Sequence, residues 1–378
     1  MQDTIKNYEI KIEVLGPLHI GNGKKISKAE YVYDKTDKKF YIMDTFKMFK
    51  GLARLGLLEQ FEKFVFEGSN NKKQKEVDLS YFLRTNNVKK EDYKSWASYS
   101  YMANSDADNK NYILECIKDP YNMVYVPGSS LKGAIRNAIL NAVLLKNDKF
   151  EAIARSVETA EFKNRNYYLL QEAELLNTKI FHRMRKCEDP NLKIENVVND
   201  IFRAFRVSDS KPISTENIVL CKKVDVFGDG SRNELKNILR ESIKPNTIIE
   251  ASLEIDESVF KMSLESIENA IKIMYNNTKR NFLSKFPNVH NEKGVLLYIG
   301  GGSGFVSKTA IYSLYHDEKR ALKNASEILD KVCPKDNMGN HKIDQYEYGV
   351  SPRVRKCTLY NNKLYDFGLC RIEFKPIG

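Results

Sequence analysis

The stretch Val126-Pro127-Gly128-Ser129-Ser130-Leu131-Lys132-Gly133-Ala134-Ile135-Arg136 gathers two hydroxyls, two cations and two glycines within a few residues. Pro127 cannot donate a backbone hydrogen bond and biases Val126 toward extended geometry, so the chain reads as a strand end and a tight turn. Ser129 and Ser130 are N-cap residue types, and apolar residues then recur at Leu131, Ala134, Ile135, Ala138 and Ile139 with helical spacing. Gly133 in the first turn, Lys132 at the positive end of the helix dipole and Arg136 four residues on are all unfavourable for a purely structural helix. Together they suit an anion: free N–H groups, hydroxyls and cations converging on a phosphate, with a backbone passing close over Gly133. The plain alternative is a capped helix with two solvated cations.

A second stretch of this kind is Ile299-Gly300-Gly301-Gly302-Ser303-Gly304-Phe305-Val306-Ser307-Lys308-Thr309. Consecutive glycines admit positive φ and close approach of another backbone, and Lys308 and Thr309 are expected at a following helix start. Candidate binding residues here are Gly300, Gly301, Gly302, Lys308 and Thr309. The loop after the first strand, Gly16 to Lys25, adds His19 and Lys24, though its spacing is not that of a nucleotide-binding P-loop. For acid–base chemistry only His19, His182, Asp106 and Asp108 stand out, and no spacing ties them together. The tetrads Ser129-x-x-Lys132, Ser208-Asp209-Ser210 and Lys308-Thr309-Ala310 approach the three elements of a serine–lysine acylase, each of the last two by all but one residue.

The elements that must position these residues follow from periodicity. Tyr8, Ile10, Ile12 and Val14 alternate with charged residues, which predicts a half-buried strand. A hairpin is expected over 30–43, then a long helix capped by Thr45, and a polar surface insertion over 68–95. Helices are expected over 150–186, ending in the cluster His182-Arg183-Met184-Arg185-Lys186. A short strand follows at Phe205, another strand at Ile218–Phe227, and a helix from a Ser231/Glu234 capping box to Ser242. Thr247–Ile255 alternates again, Ser258–Phe286 reads as a long helix, and the chain closes with a hairpin of Cys357–Tyr360 and Gly368–Phe374. Strands, long helices and strands without regular alternation give an α+β fold with antiparallel sheets.

Lys and Arg outnumber Asp and Glu by 61 to 50, which favours a polyanionic partner. Six scattered cysteines without a C-x-x-C pair and five scattered histidines offer no zinc site, and no cofactor is expected. With no cationic-then-apolar leader and no apolar run approaching about 20 residues, a cytoplasmic location is expected and a membrane partner is not.

PGSSLKGAIR and the glycine-rich IGGGSGFVSKT resemble the two signatures of the RAMP superfamily, the RNA-binding subunits of CRISPR effector complexes, and are most similar to the fifth-subunit family of type III-A (Csm) complexes. The resemblance implies a ferredoxin-like (RRM-like) core with an antiparallel sheet, large helical insertions and a second, smaller α+β portion. Residues 1–210 would form that core, with insertions at about 68–95 and 150–200, and 211–378 the portion carrying the glycine loop. It further implies a non-catalytic subunit that binds the guide RNA (crRNA), caps the backbone filament near the guide 3′ end and takes part in crRNA maturation. Its protein partners would be the backbone RAMP subunit and the small subunit. A RAMP-type endoribonuclease is the alternative.

Overall fold

The computed structural model describes residues 4–70, 78–103, 112–184, 193–333 and 340–377. β1 (Ile5–Val14) runs through a buried loop into β2 (Gly21–Ile26), and β3 (Tyr31–Asp34) pairs with β4 (Lys39–Met43) as the expected hairpin. The helix expected after it is two: α1 (Thr45–Arg54) is capped by the Asp44 side chain rather than by Thr45, and Gly56, at φ +71°, breaks the chain before α2 (Leu58–Asn70). α3 (Leu79–Thr85) and α4 (Lys90–Ser95) follow, then β5 (Ala97–Met102) and β6 (Tyr112–Cys116). The described part of the supposed polar insertion is therefore structured: Leu79, Phe82 and Leu83 join Met48, Leu52, Phe61 and Trp96 in a satellite core beside the β3–β4–β5 sheet. Asp106 and Asp108 lie outside the described residues.

Further along come α5 (Gly128–Leu145), α6 (Glu151–Thr159), α7 (Leu170–Phe181), β7 (Phe205–Val207), β8 (Ile218–Phe227), β9 (Arg232–Ile243) and β10 (Ile248–Asp256). α8 (Leu264–Asn281), β11 (Val295–Tyr298), the single turn α9 (Ile311–Leu314), α10 (Glu318–Val332), β12 (Val354–Tyr360), β13 (Lys363–Asp366) and β14 (Leu369–Pro376) complete the chain. The expected 231–242 helix is strand β9. The closing hairpin is β12–β13, turned at Asn361 and Asn362, both at positive φ, and β14 leaves for another sheet.

One sheet has the order β11-β14-β1-β10-β7, every pair antiparallel. Without β11 this is the ferredoxin-like order, with α5 and α8 as its two crossover helices. Ile10, Ile12 and Val14 are fully buried beneath them, as the alternation of β1 predicts. A boundary at 210/211 passes through this sheet, because β10 and β14 pair on either side of β1. The second sheet, β13-β12-β8-β9-β6-β2, has one parallel contact, β6 with β9.

Beside α10, His341 Nδ1 lies 2.9 Å from Asp344 Oδ2, which also accepts from Ser351 Oγ at 3.0 Å. The hydrogen bond to Asp344, with Cys333 adjacent, holds the imidazolium up to about pKa 9. A raised folded-state pKa contributes stability that is complete below the ordinary histidine value of about 6.5 and is lost as pH rises through about 9. Replacing His341→Gln is expected to lower the melting temperature more at pH 6 than at pH 10, and equal losses at both would contradict the charged pair.

Candidate nucleic-acid interface

α5 starts one turn earlier than its serines suggest. Its N-cap is Pro127, no side chain of its own segment caps it, and Ser130 N–H donates to the Pro127 carbonyl at 2.9 Å. The cap comes from across the chain: Asp209 Oδ1 accepts from Gly128 N–H at 2.8 Å. Gly128 is buried so tightly on β7 that a Cβ there would stand 2.2 Å from the Val207 carbonyl oxygen. Ser129 is exposed, and Gly133, now in the second turn, has open space where its Cβ would be.

Lys132 and Arg136 do not share a role. Arg136 turns inward, pairing with Asp200 at 2.6 Å and donating to Asn177 at 3.2 Å, its guanidinium 4.1 Å from the Phe181 ring centroid and 5.0 Å from that of Phe202. It ties α5 to α7 and to the segment of Asp200, rather than standing as a free cation beside Lys132. Lys132 is half-buried; burial lowers its pKa. Arg136→Ala is expected to cost about 2 kcal/mol, from the lost charge-assisted bonds and ring contacts, with Lys132→Ala near neutral in the same melt. Equal losses would put Arg136 back among the solvated cations.

The glycine-rich loop is bound to the loop after β1. Gly301 N–H donates to the His19 carbonyl at 2.6 Å, and a Cβ on Gly300 would meet that oxygen at 2.3 Å. His19 is buried, its Nδ1–H donates to the Glu241 carbonyl at 2.7 Å, and burial pulls its pKa down to about 4. A neutral, enclosed imidazole of this kind supports the loop and is removed from phosphate contact. Beneath it Glu241, fully buried, accepts from Tyr99 Oη and Cys116 N–H, both at 2.8 Å, and pairs with Lys118 at 2.5 Å. Lys24 stays exposed on β2. Lys308 falls in a short 3₁₀ turn rather than at the start of a long helix, and it is exposed.

Under the glycine loop lies one face of the six-stranded sheet. Cys221, Lys223 and Asp225 alternate along β8, Arg240 is opposite Cys221 on β9, and Lys356 is opposite Asp225 on β12. Lys356 Nζ pairs with Asp225 at 2.9 Å and Lys223 Nζ approaches the same carboxylate at 3.6 Å. Burial, with Lys356 close by, depresses Lys223 to about 8. A Cβ on Gly302 would meet the Phe367 ring at 3.1 Å, and one on Gly304 would meet the Lys356 chain at 3.3 Å, so the loop lies directly on this face. Arg240 stands 5.8 Å from the centroid of the same Phe367 ring. Its Nη1, Ser303 Oγ and Thr309 Oγ1 are buried with no hydrogen-bond partner among the described residues.

The structure thus brings Gly300, Gly301, Gly302, Lys308 and Thr309 together with His19, but not with Ser129, Ser130, Lys132, Gly133 and Arg136. The two motifs attach to opposite edges of the five-stranded sheet, β11 and β7, about 19 Å apart at roughly 4.8 Å per strand. That separation also parts Ser129 and Lys132 from Lys308, so the acylase elements do not assemble. His182 Nδ1 bonds to the Ile194 carbonyl at 2.9 Å, and Arg185 and Lys186 lie outside the described residues. Lys223, Arg240 and Lys356 were hidden from sequence reasoning because their segments are far apart and one was read as a helix; no linear spacing marks them. Among the described residues, no cluster of His, Cys, Asp and Glu fits a metal ion.

Residues 11–307 match the family model described as RAMP superfamily. The chain is 28% identical over 321 residues to the CRISPR system Cms protein Csm5 of Streptococcus thermophilus, covering 82% of this chain and 81% of that protein. It is 26% identical to the Csm5 protein of Mycobacterium tuberculosis over 99% of both chains. Among solved structures, a chain of a Csm–crRNA–target RNA ternary complex of a type III-A CRISPR-Cas system superposes with a TM-score of 0.65 at 19% identity, covering 97% of this chain and 100% of that one. The crystal structure of T. onnurineus Csm5 gives 0.59 at 17% identity, covering 96% and 99%. With a family match across most of its length and the ferredoxin-like sheet carrying both glycine motifs, this chain belongs to the RAMP superfamily.

Proposed function

We propose that the chain is a non-catalytic crRNA-binding subunit of a type III-A CRISPR-Cas (Csm) effector complex, capping the backbone filament near the guide 3′ end and taking part in crRNA maturation. Its partners in this reading are the guide RNA, the backbone RAMP subunit and the small subunit, in the cytoplasm. The observation that carries it is the face under the glycine loop, where Lys223, Arg240 and Lys356 gather around one carboxylate, Asp225, and Lys308 stands near Arg240. Such an excess of positive charge, half-buried at Lys223, Arg240 and Lys356, is unfavourable in the free protein and is relieved by a polyanion. In this reading the polyanion is the guide RNA of the effector complex.

The test is the salt dependence of single-stranded RNA binding by the full chain. Each lysine that neutralises a phosphate adds about 0.7 to the log–log slope, so Lys132→Ala should flatten it by roughly that amount for every RNA sequence. The RNA recovered from the same incubation, with Mg²⁺ present, should keep its length. Shortened RNA would favour the endoribonuclease, and salt-independent binding a purely architectural subunit.

A further inference from the structure

We propose that the cationic face beneath the glycine-rich loop is a pocket for the terminal phosphate monoester of an RNA chain, with Arg240 and Lys308 as its ligands and Lys223 and Lys356 setting its charge. The proposal rests on the RNA-binding reading above and specifies the part of the polymer that this face takes.

Two observations point to a terminal rather than an internal phosphate. The first is charge. Lys223, Arg240, Lys308 and Lys356 share the site with Asp225 alone, and that carboxylate is already engaged by Lys356 at 2.9 Å and approached by Lys223 at 3.6 Å. Lys308 and Arg240 stand close enough to repel each other, and the carboxylate that Arg240 faces, Asp225, is the one shared with Lys223 and Lys356. An internal phosphodiester brings one negative charge. A monoester brings about 1.5 to 2 at neutral pH and offsets most of the surplus.

The second is hydrogen-bonding capacity. Arg240 Nη1, Ser303 Oγ and Thr309 Oγ1 are buried without an acceptor on the strand and loop that frame the face. Buried donors are normally paired, and these three call for an acceptor-rich group. A monoester offers three terminal oxygens and a diester two. The Arg240 guanidinium, 5.8 Å from the centroid of the Phe367 ring, offers a forked set of donors to such a group. Positive φ at Gly300, Gly302 and Gly304 lets the loop pack directly against His19, Phe367 and Lys356, at the edge of this charged face.

The experiment compares one single-stranded RNA sequence ending in a 3′-phosphate, in a 5′-phosphate or in hydroxyls at both ends, each titrated with the full chain at one salt concentration. One phosphorylated RNA should bind at least about tenfold tighter than the hydroxyl-ended one, the scale of a charge-assisted hydrogen bond. Which one it is identifies the end that is held. In Arg240→Gln, and in the exposed and fold-neutral Lys308→Gln, that affinity ratio should fall to about one whatever the absolute affinity. Equal affinity of the wild-type chain for all three RNAs overturns the terminal pocket while leaving RNA binding intact. A ratio that persists in both variants places the phosphate elsewhere and overturns it too. Failure to bind any of the three would instead remove the RNA-binding reading on which it rests.

Discussion

Glu241→Gln is expected to destabilise the protein by roughly 3–5 kcal/mol, because it strands a buried cation. Lys118 keeps only 5% of its side chain exposed and Glu241 none, and their contact is 2.5 Å. Glutamine retains one acceptor oxygen for Tyr99 or the Cys116 N–H but no charge for Lys118. The other ion pair open to Lys118 is a longer one, Glu115 at 3.4 Å. The loss is a large part of a typical stability of about 5–15 kcal/mol. It should also loosen the site, since the Glu241 backbone carbonyl anchors His19, and the His19 carbonyl holds Gly301. Denaturant unfolding gives the first number, and hydrogen exchange at the Gly301 amide gives the second. Adding Lys118→Met to Glu241→Gln should recover part of the loss, as an uncharged pair needs no counter-ion. A single variant within about 1 kcal/mol of the parent, or a double variant no better than the single, would mean that Lys118 reaches water.

That network was illegible in the sequence for a definite reason. Glu241 lies in 232–243, where Leu235, Leu239 and Ile243 recur at helical spacing behind a serine and a glutamate. Tertiary pairing overrides this: Asp229 turns the chain by accepting from Ser231, Gly230 supplies φ +87°, and β9 is then clasped by β8 on one side and β6 on the other. A strand with partners on both edges satisfies its backbone without helical bonds. By contrast β1 declares itself, because Ile10, Ile12 and Val14 alternate against a polar face. The glycine loop was legible as a place of close approach, though what approaches Gly300 and Gly301 is the chain's own His19. The ion pair of Arg136 is not legible in the sequence, because helical spacing gives a residue's face but not the partner waiting there. Asp200 lies sixty-four residues away, on a segment that only the folded chain brings to α5.

The two glycines of the central motif should respond in opposite directions. Gly128→Ala places a methyl 2.2 Å from the Val207 carbonyl oxygen and 2.6 Å from that of Ser208, both backbone atoms that cannot rotate away. The start of α5 must lift from β7, weakening the Asp209 cap at the Gly128 N–H, and overpacking of this kind costs about 1–3 kcal/mol or more. Gly133→Ala meets nothing within 4 Å on a helical backbone, so it should stabilise the fold by about 0.5–1 kcal/mol through reduced chain entropy. If RNA backbone passes over Gly133 beside Lys132, that same methyl stands in its path. The more stable Gly133→Ala protein should therefore bind single-stranded RNA more weakly than the parent, a combination that loss of folding cannot mimic. Unchanged RNA affinity in Gly133→Ala would leave this end of α5 as a helix held by Gly128 and Asp209, with RNA confined to the glycine-loop edge of the sheet.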